Sequence, residues 1–179
     1  MNLDQFVYPS KAVPRPGGDF VVRQFILPIE IGNEILWAML DTGANVSILP
    51  RELAREFISL RSTEDIDGEY TLAGVVNVPY QTYNLETNLL NHISGTIEEL
   101  NLEPYETDSV SKISLNEVEF QVPTLSWAEI AHSLEANGET SISTREMRRV
   151  ILGLHGVIDQ VNLSITNDNC VTVQPYGQP

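Results

Sequence analysis

The sequence predicts an all-β protein with one or two short helices, and three features carry that prediction. Several short segments are rich in β-branched and aromatic residues, which is the composition of strands. Glycine, proline and asparagine separate these segments and are typical of turns. Helix-forming patterns are confined to two stretches, one after Pro50 and one after Ser126. The strands are therefore expected to build the core.

Composition and length favour a folded protein of one domain. Hydrophobic residues make up 42% of the 179 residues, which suffices for one core with insertions. Only Cys170 is present, so an intrachain disulfide framework is excluded and a reducing compartment is the simpler expectation. We see no signal peptide, and charged residues interrupt the longest apolar stretch, Phe25 to Leu40. A cytoplasmic location without membrane contact is expected.

The net charge of −15 is unevenly distributed along the chain. Between Ser62 and Thr144 there are fifteen acidic residues and a single basic one, Lys112. Such a segment repels phosphate groups, so nucleic acid is not an expected partner. A solvated acidic face explains the excess. A preference for basic partners is the alternative.

Residues 1–19 contain several prolines and glycines and are predicted to form an irregular N-terminal arm. Residues 20–175 are predicted to form a single domain. The segments near 86–109 and 126–149 are read as insertions into this domain, because the first is acidic and weakly periodic and both exceed a minimal domain. The insertion segments could act as a lid, a self-processing segment or an inhibitory plug.

A β-hairpin is predicted from Phe20 to Leu40, with its turn at Gly32-Asn33. Its second strand runs directly into Asp41-Thr42-Gly43-Ala44. A short apolar run, Val46 to Leu49, follows, and Pro50 stands where a helix can begin.

The remaining elements follow from alternation and turn signals. Tyr70 to Leu85 is read as two strands around Gly74, and Ile113 to Leu125 as strand with a polar turn at Asn116-Glu117. Ser126 is the expected N-cap of a helix that Gly138 ends. The last two strands are expected near 161–166 and 170–174, around a polar turn.

Asp41 is the candidate catalytic residue because of its surroundings. An apolar strand leads into it and a second apolar run leaves after it, so its carboxylate must be paired, hydrogen-bonded or protonated. Two carboxylates that share a proton can activate water and donate a proton, since like charges held together do not both ionise easily. A following hydroxyl can fix the loop, and a glycine lets a substrate backbone approach closely. Thr42 and Gly43 meet these needs.

Four segments together resemble a known family, the retropepsin-like aspartic proteases. Residues 27–49 are similar to the first half of such a domain, with the Asp-Thr-Gly motif at its end. Val150 to Gly153 resembles the second signature, in which two apolar residues and a glycine pack beneath the catalytic loop. Tyr70 to Val76 resembles the flap hairpin that closes over substrate, and Ile113 to Leu125 resembles the paired strands before the second signature.

The resemblance implies a role for each matched residue. Asp41 would be the catalytic acid or base. The residues that would support its loop are Thr42, Ser47, Ile151, Leu152 and Gly153. The residues that would contact substrate are Gly43, Ala44 and Asn45 in the loop and Ala73, Gly74 and Val75 in the flap.

The resemblance also implies an assembly. A closed β barrel is the family's fold, and a single Asp-Thr-Gly motif implies a symmetric homodimer with the site on its axis. Asp159 is the one rival for a second acid, and its neighbours lack the Thr-Gly pattern. The implied partners are a polypeptide substrate and a second copy, with no metal or other cofactor.

Two positions depart from the viral members of the family. Those carry an acidic residue where Asn45 stands and a basic residue where Leu154 stands, and the two charges pair. Both are missing here, so no unpaired buried charge remains. This departure favours a cellular or bacterial type.

Three functions stay open on the sequence. The leading one is an endopeptidase that works through water activated by a pair of Asp41 carboxylates. The second is a catalytically quiet retropepsin-like module for dimerisation or peptide binding. The third is an acidic interaction protein of unrelated β fold.

Overall fold

The computed structural model describes residues 5–14, 21–91, 111–139 and 149–176. Within these ranges the chain is mostly β, with ten strands and two short helices. The strands are β1 (Phe6–Pro14), β2 (Val21–Ile31), β3 (Glu34–Leu40), β4 (Ser47–Ile48), β5 (Gly68–Leu72), β6 (Val76–Leu90), β7 (Lys112–Pro123), β8 (Val150–Leu152), β9 (Val161–Ile165) and β10 (Cys170–Pro175). The helices are α1 (Arg51–Ala54) and α2 (Trp127–Ala136), and a 3-10 turn spans Ile158–Gln160.

The N-terminal segment differs from the irregular arm that its prolines suggested. Residues 6–14 form β1, which pairs first with β10 and then, after Pro9, with β2. Proline cannot donate to a ladder, and Pro9 stands at the switch between the two partners. Phe6 and Tyr8 alternate into the core, and the Tyr8 hydroxyl donates to the carbonyl of Leu90 at 2.6 Å. The alternating apolar residues therefore favour a strand here, although the prolines suggested an irregular segment.

The predicted hairpin is confirmed as β2 and β3, which pair from Phe25↔Leu40 to Ile31↔Glu34. Gly32 has φ +61°, a left-handed conformation that glycine adopts without steric cost. The hairpin brings Leu40, and with it the start of the Asp-Thr-Gly motif, to one end of the sheet.

The ten strands form one sheet in the order β5-β6-β7-β4-β8-β3-β2-β1-β10-β9. Strand β6 also pairs with β2, at Ile29↔Leu89 to Ile31↔Thr87. The ladders from β2 through β3, β8, β4 and β7 to β6 therefore close on themselves. This ring of pairings surrounds the main core.

The expected turn at Asn116-Glu117 and the expected pair of strands around it are wrong, because Lys112–Pro123 forms the single strand β7. β7 runs without a break and pairs with β6. The register of this pairing shifts between Leu85 and Thr87 of β6. Two exposed residues of β7 there face one residue of β6, which is a β-bulge. The backbone N–H of Asn116 donates to Oε1 of Gln160 at 2.8 Å. Strand β6 also takes in residues 86–90 of the expected insertion, and residues 92–110 lie outside the described ranges.

Two separate hydrophobic clusters hold the fold. The main core gathers buried side chains from most strands of the sheet, including Leu40 of β3 and Leu152 of β8. The second, which we call the flap cluster, contains the buried residues Val76, Val78, Ile130 and Leu134, with Tyr70, Leu72 and Leu125 packed against them. The flap cluster joins β5 and β6 to α2.

Helix α2 begins as its sequence predicted. The Ser126 hydroxyl accepts from the backbone N–H of Glu129 at 3.2 Å, and Oε2 of Glu129 accepts from the N–H of Ser126 at 2.7 Å. This capping box satisfies two donors at the start of the helix. Gly138 follows the helix with φ +73°. Residues 140–148 of the second expected insertion lie outside the described ranges. Over the ranges described, every helix is too short or too polar to cross a membrane.

Candidate active site

Asp41 lies at the end of β3, in a loop that backbone hydrogen bonds shape. Its backbone N–H donates to the carbonyl of Leu152 at 3.0 Å, and its carbonyl accepts from the N–H of Ala44 at 3.2 Å. The Oδ1 atom of its carboxylate accepts from the N–H of Gly43 at 2.9 Å. The carboxylate is therefore fixed by its own loop and is partly open to solvent.

Thr42 and Gly43, the next two residues, are exposed in the isolated chain. A Cβ atom at Gly43 would stand 3.3 Å from Oδ1 of Asp41, so a side chain there would crowd the carboxylate. Ala44 and Asn45 continue the loop towards β4. The loop presents its tip outward, where a second molecule can reach it.

Strand β8 lies directly beneath the loop. It runs parallel to β3 in the register Ala38↔Val150 to Leu40↔Leu152, and Ile151 also pairs with Ile48 of β4. Parallel neighbours place the ends of their strands at one edge of the sheet. The second signature and the Asp-Thr-Gly motif, more than a hundred residues apart in sequence, are thus adjacent in the fold.

Gly153 has a steric reason to be glycine. A Cβ atom there would stand 2.3 Å from the carbonyl oxygen of Val46 and 2.9 Å from that of Ala44. Its backbone N–H donates to the buried hydroxyl of Ser47 at 3.0 Å. Ser47 therefore braces the segment beneath the loop, and the two backbones approach too closely for any side chain.

Backbone groups also connect the positions of the two missing charges. The N–H of Leu154 donates to the carbonyl of Ala44 at 2.8 Å, and the N–H of His155 donates to that of Asn45 at 3.0 Å. The loop and the segment after β8 are thus held together without an ion pair. Asp159 lies in the 3-10 turn with its Oδ2 atom 4.0 Å from Nδ1 of His155, and both side chains are mostly exposed.

The flap residues form the tip of the β5–β6 hairpin. Ala73 and Gly74 have φ of +51° and +73°, and the N–H of Val75 donates to the carbonyl of Leu72 at 3.1 Å. Positive φ values at both central residues of the turn from Leu72 to Val75 are typical of a tight hairpin. Ala73, Gly74 and Val75 are all exposed. The structure thus places them together, on an element separate from the Asp41 loop.

A cavity of about 120 Å³ lies between the flap hairpin and the strands next to the loop. Its apolar walls come from β4, β5, β8 and α2, through Ile48, Tyr70, Leu72, Trp127, Ile130 and Ile151. Burial raises the pKa of Tyr70 to about 12, so its phenol stays neutral at physiological pH. The cavity is a mostly apolar recess between the candidate flap and the second signature.

The sequence reasoning missed the charged residues of this cavity. Arg51, Glu52 and Arg149 also line it. Pro50 predicts the start of a helix at Arg51. Only the structure shows that this helix, α1, contacts the start of α2 through Glu52. In the part of the chain that the structure describes, no three His, Cys, Asp or Glu side chains come together as metal ligands.

Comparison with solved structures identifies the fold. A retropepsin-like aspartic protease from Rickettsia conorii superposes with a TM-score of 0.53 at 11% sequence identity, over 96% of this chain and 99% of that chain. The retroviral protease-like domain of Ddi1 from Leishmania major gives a TM-score of 0.42 at 15% identity, over 88% and 96% of the two chains. No protein-family model matches the sequence, and no curated protein does. The superposition on the Rickettsia conorii protein shows that this chain has a retropepsin-like fold, which excludes an unrelated β fold.

Proposed function

We propose that this protein is an aspartic endopeptidase whose site forms when two copies bring their Asp41 loops together. The observation that carries the proposal is the loop itself. A single Asp-Thr-Gly motif stands at the end of a buried strand, anchored to Leu152 and open to solvent at Thr42 and Gly43. One carboxylate cannot act as both base and acid in the same step. A second copy would supply the other.

The proposed chemistry needs only the two carboxylates and a water molecule between them. One Asp41 carboxylate takes a proton from the water as its oxygen attacks the carbonyl carbon of the peptide bond. The other, protonated, Asp41 gives its proton to the carbonyl oxygen, and a tetrahedral diol forms. The C–N bond then breaks as the Asp41 that took the proton from water gives it to the leaving nitrogen, while the other Asp41 takes a proton back from the diol. The hydroxyl of Thr42 would hold the two loops together across the dimer axis.

The surroundings of the loop suit an extended peptide. The flap tip at Ala73 to Val75 is exposed, and the strand behind it forms one wall of the apolar cavity. Ile151 of the second signature forms another wall. A peptide beneath the flap could place an apolar side chain in this cavity while its backbone passes Gly43 and Ala44.

The test compares wild type with Asp41→Asn on a peptide library, with products identified by mass spectrometry. We expect Asp41→Asn to reduce cleavage by on the order of 10³-fold, because the acid and base are both lost. Asp159→Asn is the matched control and should cleave like wild type. Cleavage that survives in Asp41→Asn would contradict the mechanism.

Sedimentation of the same proteins tests the assembly. A protein that cleaves peptides as a strict monomer would contradict the two-copy site. A protein that dimerises through its loops and cleaves nothing would instead support the quiet dimerisation or peptide-binding module.

A further inference from the structure

Helix α2 connects two parts of the molecule that the proposed peptidase would have to hold in place relative to each other. Its buried side chains pack against those of β6 in the flap cluster. Its first residue, Trp127, is linked in the other direction, because the backbone N–H of Trp127 donates to Oε1 of Glu52 at 2.7 Å. Glu52 belongs to α1, which follows the Asp41 loop and β4 in the chain. A hydrogen bond to α1 therefore joins the helix that packs on the flap hairpin to the part of the fold that carries Asp41.

Glu52 is anchored in the main core from both sides. Leu49 before it and Ala54 after it are fully buried members of that core. The backbone N–H of Leu49 also donates to the carbonyl of Gln121 in β7 at 3.0 Å, which ties the start of this segment to the sheet. The carboxylate of Glu52 therefore extends from a fixed backbone to the start of α2.

The bond between Trp127 and Glu52 is separate from the local cap of α2. The capping box of Ser126 and Glu129 satisfies groups within the start of the helix itself. The N–H groups of a first helical turn have no partner inside the helix, and Glu52 supplies a carboxylate acceptor from another helix. Its second oxygen, Oε2, is buried without a hydrogen-bond partner among the described residues, so little water solvates this carboxylate. The capping box sets where α2 starts in the sequence, and Glu52 sets where it starts in space.

We infer that Glu52 is a positioning residue for the flap hairpin, and this inference rests on the proposed peptidase function. Glu52 fixes the start of α2 to the main core, and α2 provides the surface on which the flap hairpin rests when it covers a peptide. The position of the closed flap relative to the Asp41 loop is thereby set. A flap that contacts substrate both before and during the reaction contributes to binding rather than to the chemical step, so Glu52 should act on KM more than on kcat. The first part of the expected insertion 126–149, which contains α2, thus gains a role in holding the flap.

Amide hydrogen exchange followed by NMR tests the link without catalysis. Glu52→Ala removes the acceptor, and we expect exchange to become about tenfold faster in α2, β5 and β6 while β3 and β8 keep their protection. Glu52→Gln keeps an oxygen for the N–H of Trp127 and should stay within about threefold of wild type. Glu56→Ala is the matched control, because Glu56 is an exposed glutamate of the same segment, and it should exchange like wild type. Exchange in Glu52→Ala that equals wild type, or that rises equally in β3 and β8, overturns the inference.

A pair of substitutions at the donor assigns the effect to the hydrogen bond itself. Trp127 is the first residue of α2, where proline is tolerated, and the backbone of Ser126 is extended, with φ −69° and ψ 158°, as proline favours in the residue before it. Trp127→Pro therefore removes the N–H, whereas Trp127→Ala removes the same side chain and keeps the N–H. Adding Glu52→Ala should speed exchange in the flap hairpin about tenfold in the Trp127→Ala protein and have no further effect in the Trp127→Pro protein. Equal effects in the two proteins would show that Glu52 does not act through this bond.

Kinetics on one peptide that wild type cleaves separate this inference from the peptidase proposal. Glu52→Ala should raise KM about tenfold and change kcat by less than about twofold, and Glu52→Gln should restore KM. Unchanged KM together with unchanged exchange overturns the role of Glu52 and leaves the peptidase. A fall in kcat at constant KM also overturns it, because it would place Glu52 in the chemical step. If wild type cleaves no peptide, the peptidase proposal fails, and the exchange experiments still support or overturn the link between Glu52 and the flap hairpin.

Discussion

The Asp41 loop and the flap hairpin are held in different ways. Backbone hydrogen bonds fix the loop to β8, which belongs to the main core. The flap hairpin rests on the flap cluster, whose buried members are four side chains from β6 and α2. Buried apolar area sets how firmly an element is held. We therefore expect the Asp41 carboxylate to lie on the more rigid part of the chain and the flap hairpin to open by itself.

This difference suits the proposed peptidase site, which would have to admit a peptide and then act on it. The acid must keep its geometry through each cycle, whereas the flap must separate from the loop to let substrate in. Separate clusters permit that motion, because opening the flap cluster leaves the main core intact. Substitutions in the two clusters would test this division.

The largest contrast is expected between two leucines, one in each cluster. Leu152 is fully buried in the main core and Leu134 is 2% exposed in the flap cluster. Leu152→Ala should lower the free energy of unfolding by about 4 kcal/mol and Leu134→Ala by about 2 kcal/mol. Urea unfolding measures both.

Hydrogen exchange then shows where each protein opens. Leu134→Ala should speed amide exchange in β5, β6 and α2 and leave β3 and β8 protected. Equal loss of protection in both regions would mean that the two clusters unfold as one unit.

Gly153→Ala tests the close approach beneath the loop. The added Cβ would stand 2.3 Å from the carbonyl oxygen of Val46, so one of the two backbones must move. We expect unfolding to become easier by about 3 kcal/mol. Gly32→Ala is the control, because its Cβ meets no atom within 4 Å and only its positive φ is unfavourable. Its expected cost is about 1 kcal/mol. Similar costs for the two would show that Gly153 is not sterically required.

Ser47→Ala removes the buried acceptor of the Gly153 N–H. The donor would remain buried without a partner, so we expect the free energy of unfolding, measured by thermal unfolding, to fall by about 2 kcal/mol. Ser47→Thr keeps the hydroxyl and shows whether the acceptor or the volume matters. A loss from Ser47→Thr as large as that from Ser47→Ala would assign the effect to packing.

The smallest effect concerns the base of the flap. The side chain of Arg61 donates to the carboxylate of Asp67, and the backbone N–H of Thr82 donates to Oδ2 of Asp67 at 2.7 Å. These bonds, first that from Arg61, lower the pKa of Asp67 below its ordinary 3.8. Stabilisation by the ionised carboxylate is therefore complete above that value and is lost as the pH falls through the lower pKa of the folded state.

Melting temperatures of wild type and Asp67→Asn, measured from neutral to acidic pH, check this. Wild type should melt higher near neutral pH, and the difference should shrink once the pH falls below 3.8. A difference that does not change with pH would show that ionisation of Asp67 does not stabilise the flap.

Local patterns predicted some parts of this fold well. The β2–β3 hairpin follows from its β-branched and aromatic residues and a Gly-Asn turn, and the start of α2 follows from its capping box. The place of Asp41 at the end of β3 follows from the same hairpin. These features depend on residues close to one another in the chain, so local sequence patterns are enough to predict them.

The missed features depend on partners far away in the chain. β1 is a strand because β10 pairs with its first half and β2 with its second half, and no local signal shows that Pro9 sits where the partner changes. The polar pair Asn116-Glu117 has the composition of a turn, yet β6 continues opposite it and makes it a bulge. The charged side of the cavity depends on α1 meeting α2, which the spacing of residues does not indicate.

The parallel pairing of β3 with β8 also orders events in time. Ala38 meets Val150 in this ladder, so the chain between them must be made before the Asp41 loop gains its support. Contacts between such distant residues form slowly, because a long loop must close first. During synthesis from the N-terminus, the Asp-Thr-Gly motif therefore leaves the ribosome well before the strand that shapes it. A nascent chain therefore contains Asp41 early and the strand that fixes its loop late.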